Sequence, residues 1–207
     1  MTRTTDERSF ERIAGAFAFV AAPGGVAYSV AFVIFLKTGS TAAAKLASVL
    51  LLLGGVVAIV VMVGLYGRIR ESEPSAALLA LVLGVAAGVG SAIHGGYDLA
   101  NFTHPPTAAP TDLPNAIDPR GLMTFAFSGL AIITASWVIV TGGRLPKRLG
   151  SLGLLGGVLL VLVYLGRLII LNPKSPGVLV AAVLGGFLVI PAWYVWLGME
   201  LRRGAPA

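Results

Sequence analysis

The sequence predicts an all-α fold, an integral membrane bundle of six transmembrane helices with the N and C termini cytoplasmic. Three observations predict it. First, the 207 residues are 57% hydrophobic and only 12% charged, against roughly 25% charged in ordinary soluble domains, and the mean hydropathy is +0.90. So few charges cannot clothe the surface of a soluble core, so lipid must solvate the outer helix faces. Second, charge-poor runs occupy 13–36, 46–67, 74–98, 121–143, 149–171 and 175–199. Each reaches the roughly 20 residues that cross about 30 Å of hydrocarbon at ~1.5 Å per residue. Third, Lys and Arg sort by side. With six spans both termini share a face, which collects Arg3, Arg8, Arg12, Arg68, Arg70, Arg144, Lys147, Arg148, Arg202 and Arg203; the other face has Lys37, Lys45, Arg120 and Lys174. The positive side marks the cytoplasm. One six-helix domain over 1–207 accounts for the whole chain.

The first run follows "MTRTTDERSFER", which looks like the entry of a signal peptide. The run is too long for one, however, and Pro23 directly after "VAA" suits no cleavage site, so the span is expected to stay in the mature protein. At its middle lies "AAPGG". Pro23 removes a backbone donor and Gly24 and Gly25 resist helix formation, so a kink or a short unwound segment is expected there. Unwound backbone at that depth binds ions or substrates; a kink satisfied by its neighbours is the plainer reading.

The third span carries Gly84 and Gly88 with Ala87 and Ser91 beside them, and the fifth carries Gly153 and Gly157. Small residues four apart let membrane helices approach closely, which puts the third span near the centre. Between the third and fourth spans the outer loop 103–120 holds five prolines; it is a semi-rigid linker or a lid. In the last span, Trp193 and Trp196 with Tyr194 fit an aromatic belt at the inner membrane face.

The net charge of +6 orients helices and forms no nucleic-acid surface, because the basic residues fall in short gaps between apolar runs. The absence of cysteine excludes disulfides, thiolate metal sites and a Cys nucleophile. No phosphate-cradling loop and no G-x-S-x-G elbow is present. Lys37, Lys45, Lys147 and Lys174 all sit at span edges, leaving no mid-membrane amine for a retinal Schiff base.

What polar chemistry remains lies in "GSAIHGGYDLANF". His94, Tyr97, Asp98 and Asn101 follow an i, i+3, i+4, i+7 pattern and share a helix face directed into the bundle. In the fifth span Tyr164 and Arg167 are one turn apart, in the same outer layer. A charge there is expensive unless paired, so an Asp98 to Arg167 ion pair is expected. It serves as a structural clasp between two helices, or as part of a ligand or transport site that recognises an anion or relays a proton. Zinc catalysis wants three firm ligands, and His94 and Asp98 with His104 from the loop make a poor set. A haem would need His94 with His104 or Met123. No metal or cofactor is assigned.

Three stretches, "RIAG" at Arg12–Gly15, "LPKRLGSLGLLGG" at Leu145–Gly157 and "PAWYVWLG" at Pro191–Gly198, resemble an uncharacterised bacterial multi-pass family, the domain-of-unknown-function 4386 type. The resemblance implies a small helical bundle with no functional residue to carry over. The expectation is a non-catalytic protein of the bacterial inner (plasma) membrane, free-standing or an accessory subunit. Its partners would be the lipid bilayer and, through its helix faces, a membrane protein or a second copy. A small-molecule or ion transporter, or a ligand-binding protein using the His/Asp/Arg pocket, is the alternative.

Overall fold

The computed structural model describes residues 5–105, 122–170 and 175–203, with side chains from 9–105, 124–166 and 175–203. The described residues are almost entirely helical. The helices are α1 (Thr5–Thr38), α2 (Thr41–Ile69), α3 (Pro74–Thr103), α4 (Ser128–Gly142), α5 (Lys147–Ile170), α6 (Pro176–Val183) and α7 (Ile190–Arg203). A π-helical turn, Leu122–Phe127, leads into α4, and a second, Leu184–Val189, joins α6 to α7. The α6 to α7 stretch forms one span, Pro176–Arg203, so among the described residues six helices are long and apolar enough to cross a membrane.

Local chemistry sets the helix ends. Gly39 and Gly143 stop α1 and α4 with φ of 69° and 68°, in the left-handed region that a side chain disfavours. Ser40 caps α2 by accepting from the Ala43 amide at 3.3 Å, satisfying one of the orphan amides of the first turn. Pro74 and Pro176 open α3 and α6, where a missing N–H costs nothing. Across Pro23, Gly24 and Gly25, α1 remains helical, so of the kink or short unwound segment expected from the sequence the unwound segment does not form. In hydrocarbon every backbone group must be satisfied within the protein, and one lost hydrogen bond costs less than opening a whole turn.

Packing is uneven along the membrane normal. The main core joins Ala14, Ala18, Leu65, Ile69, Ala77, Ala80, Val138, Ile139, Leu149, Trp193, Leu197 and Leu201. All of these lie in the half of the bundle that carries the termini. Among the described residues the opposite half is less densely packed, with a small cluster of Leu159, Val163 and Ala181 between α5 and α6 and the small buried side chains of Ala31, Ala44, Ala47, Ala126 and Val178. Trp193 is fully buried, which corrects its assignment to an interfacial belt. α7 continues to Arg203, and ten further residues at ~1.5 Å each place Trp193 about 15 Å from that helix end.

Glycines set the closest helix approaches, as the small-residue spacing predicts for Gly88 and Gly157, whereas Gly84 makes room for the Met62 side chain and Gly153 for those of Ser136 and Trp193. A Cβ on Gly88 would lie 2.7 Å from the Gly55 carbonyl oxygen, and one on Gly157 would lie 2.7 Å from the Gly129 carbonyl oxygen. Gly15 and Gly198 bring α1 and α7 together in the same way, each 2.9 Å from the other's carbonyl oxygen. α4 has the most buried span, 44% of its apolar window against 39% for α3 and 11% for α1. α1 is thus an outer helix lying against α2 and α7; among the described residues, none of its Cα atoms comes within 8 Å of one in α3 or α4.

Near the terminal end a buried ion pair fastens α1 to α2. Glu11 and Arg68 are 3% and 2% exposed, and Arg68 Nη1 donates to Glu11 Oε2 at 2.9 Å. A longer contact of 3.5 Å runs from Arg68 Nη2 to the Glu200 carbonyl on α7. Glu200 in turn accepts from Trp196 Nε1 and Arg203 Nη1, each at 3.2 Å.

A candidate ligand cavity inside the bundle

Where α1 stands away from α3 and α4, a cavity of about 320 Å³ fills the space. That volume is at the lower end of the range for small-molecule sites, roughly 300–1,000 Å³. One wall is the middle of α1, including Val20, Gly24, Gly25 and Tyr28. The floor is α3 and α4, with Gly84, Ala87, Gly88, Ser91, Ser128, Ala131 and Ile132, and the remaining sides come from α2, Leu160 of α5, and Ile190 and Tyr194 of α7. The first π-helical turn borders it with Thr124 and Phe125, and the second ends one residue before the lining Ile190. Such turns insert one residue into the helical ladder and recur at functional sites. At the end away from the termini, Phe35 of α1 meets Phe102 of α3 edge to face, ring centroids 5.4 Å apart.

Two kinds of glycine surround this space. Those between α2 and α3 are filled by the neighbouring helix, whereas a Cβ on Gly24, Gly25 or Gly54 would meet no atom within 4 Å. Among the described residues no packing contact requires these three. Their effect is to thin the α1 to α2 wall of the cavity.

His94 lies behind the floor, buried at 8% exposure. Its Nε2 is 3.2 Å from Asp98 Oδ2 one helical turn on, and its Nδ1 is 3.3 Å from Thr124 Oγ1. A carboxylate only accepts, so Nε2 carries a proton; in the neutral ring Nδ1 then accepts from the Thr124 hydroxyl. Thr124 is itself 5% exposed and lines the cavity, so it joins the His94 to Asp98 pair to the interior space.

No family model, curated protein or solved structure matches this chain. The site is therefore read from its own geometry.

Of the residues singled out by the sequence, the structure brings together His94 and Asp98. Tyr97 is 46% exposed and leaves the shared face. At about 100° per residue Tyr97 lies about 60° to one side of His94 and Asp98 about 40° to the other, so the two side chains leave the helix about 100° apart. Asn101 and Tyr164 are part-buried. The side chain of Arg167 lies outside the described residues, and with it the expected Asp98 to Arg167 pair; so does the side chain of Met123. With Nδ1 facing Thr124 and Nε2 facing Asp98, His94 presents no bare nitrogen to a haem iron. Among the described residues no three His, Asp or Glu side chains are placed to share a metal ion.

Sequence reasoning missed Thr124, the cavity-lining Tyr28 and Tyr194, and the Glu11 to Arg68 pair. Thr124 had one signal: it is the first hydroxyl after the proline-rich loop, in a span antiparallel to that of His94.

Proposed function

We propose that this six-helix membrane protein is a non-catalytic binder of a small, predominantly apolar molecule, held in the cavity beneath α1 with its polar end toward Thr124. One observation supports this reading above the others: the chain leaves a space of ligand size, widened by glycines that nothing else requires, and ends it on a hydroxyl fixed by a buried histidine. A purely structural clasp accounts for the His94 to Asp98 contact but not for the cavity. Close-packed interiors have few voids larger than a water molecule, and such a space costs stability unless it serves an occupant. The ligand-binding alternative raised by the sequence is thereby favoured, with Thr124 rather than Arg167 as the polar contact.

The test uses 1-decanol as the probe with protein in lipid nanodiscs. Wild type is expected to gain a decanol adduct in native mass spectrometry and to melt at a higher temperature, as any molecule bound only by the native state must cause. Ser128→Phe, which fills the cavity from α4, is expected to show neither. Equal responses in both proteins would mean that decanol acts on the bilayer alone, and the cavity reading would fall.

We further propose that the protein lies in the inner (plasma) membrane of a bacterium with both termini cytoplasmic, on the strength of the Lys and Arg asymmetry. The cysteine-free chain permits a direct check. In intact cells Lys37→Cys is expected to react with a membrane-impermeant maleimide and Arg203→Cys only after lysis. The reverse pattern would invert the topology.

A further inference from the structure

The cavity has a mouth, and its position bears on what can enter. Most lining residues are buried or part-buried, but four are exposed: Val20, at 59%, and Gly25 on α1, with Leu53, at 53%, and Gly54 on α2. All four lie on two adjacent antiparallel helices. Gly24 and Gly25 fall midway along the α1 span, Ser9–Thr38, and Gly54 falls midway along the α2 span, Thr41–Ile69. Because the helices run in opposite directions from the short turn at Gly39 and Ser40, their midpoints stand opposite one another. There the wall lacks the Cβ atoms that would close it, and nothing from either helix fills their place. The result is a window at mid-depth, rimmed by Val20 and Leu53.

Depth decides what such a window can admit. The middle of a bilayer is hydrocarbon, some 15 Å from either interface, so a molecule reaching this opening has already dissolved in the membrane. The lining agrees: among the described residues no charged side chain lines the cavity, and its polar groups are the hydroxyls of Tyr28, Ser91, Thr124, Ser128 and Tyr194. Two of these donate to their own helix, Ser91 to the Ala87 carbonyl and Ser128 to the Thr124 carbonyl. An ionised ligand would lose its hydration without gaining a counter-charge. A neutral lipophile with one hydroxyl or carbonyl group would lose nothing comparable.

We infer that the cavity is loaded sideways from the hydrocarbon core, through the window between Gly24–Gly25 of α1 and Gly54 of α2, and that its ligand class is an uncharged, membrane-dissolved lipophile. This rests on the reading of the cavity as a binding site and adds the route and the chemistry. The experiment is photolabelling in liposomes with two probes, a diazirine-bearing long-chain alcohol in the bilayer and a membrane-impermeant, water-soluble diazirine outside it. Adducts are mapped by mass spectrometry on the buried floor residues Ala87, Ser91 and Thr124, with the lipid-facing Leu78 and Leu79 as internal controls.

The alcohol is expected to label floor and controls, and the aqueous probe to label neither. In Gly25→Leu/Gly54→Leu, where two aliphatic side chains close the window without reaching the floor, floor labelling should drop to background while Leu78 and Leu79 stay labelled. Unchanged melting of that variant would show that the bundle is intact; should it fail to fold, Gly54→Leu alone must give a graded decrease. Floor labelling by the aqueous probe, or floor labelling by the alcohol that survives the closed window, would overturn sideways loading and leave the binding reading standing. Floor labelling by neither probe would remove both.

Discussion

Arg68→Met is expected to destabilise the protein by about 3–5 kcal/mol, the cost of leaving one member of a buried ion pair without its partner. The carboxylate of Glu11 is the group left behind. Both side chains are almost wholly buried, at 3% and 4% exposure, so neither water nor salt can take the partner's place as they do for a surface pair. The pair also joins the N-terminal part of α1 to the end of α2, and through the Glu200 carbonyl to α7. Its loss loosens the three helices that close the terminal end of the bundle. The decisive comparison is with the double variant Glu11→Met/Arg68→Met. When both charges are replaced by apolar groups of similar volume the desolvation cost disappears, and such replacements are commonly neutral or stabilising. The double variant should therefore recover most of the loss in a melting experiment in detergent or nanodiscs. If it melts as low as the single variant, the pair is not the source of the effect.

This ion pair shows where the sequence stops being legible. Each span is apolar enough to be recognised alone, so the six-helix fold follows from hydropathy with no knowledge of neighbours. The contact of His94 with Asp98 is equally local, since residues four apart are neighbours on a helix surface, although the partner the sequence suggests for Asp98 is Arg167. Arg68 reads as one more positive residue marking a side, because charge counting has no way to tell a solvated arginine from one turned inward to meet an acid 57 positions away. Thr124 is hidden for the same reason, being 30 residues from His94 across the outer loop. The cavity is harder still. It consists of side chains that are missing from several helices, and a missing side chain leaves a mark only at glycine. "PGG" was visible as a disturbance of α1, but its outcome was not a break in the helix. The helix continued and the wall became thin.

The neighbouring glycines Gly54 and Gly55 separate these two roles in one experiment. A Cβ on Gly55 points into α3, where it would meet the Gly88 carbonyl oxygen head-on and come within 3.0 Å of the Ala92 amide nitrogen and the Ser91 Cβ. Two of those atoms are backbone, so no rotamer change relieves the contact and α2 must move away from α3. Overpacking of this kind typically costs 1–3 kcal/mol, roughly, and Gly55→Ala is expected at the upper end because these helices associate through close packing alone, without a hydrophobic drive between them. Gly54→Ala adds the same methyl group one residue earlier, into open space. It should be neutral or raise stability by at most about 1 kcal/mol, the helix-propensity advantage of alanine over glycine. Melting temperatures of the two variants in one lipid environment provide the check. A large loss at position 54 would mean that the α1 to α2 wall is tightly packed there, and the window would not exist; tolerance at position 55 would mean that α2 and α3 are further apart than the Gly55 to Gly88 contact requires.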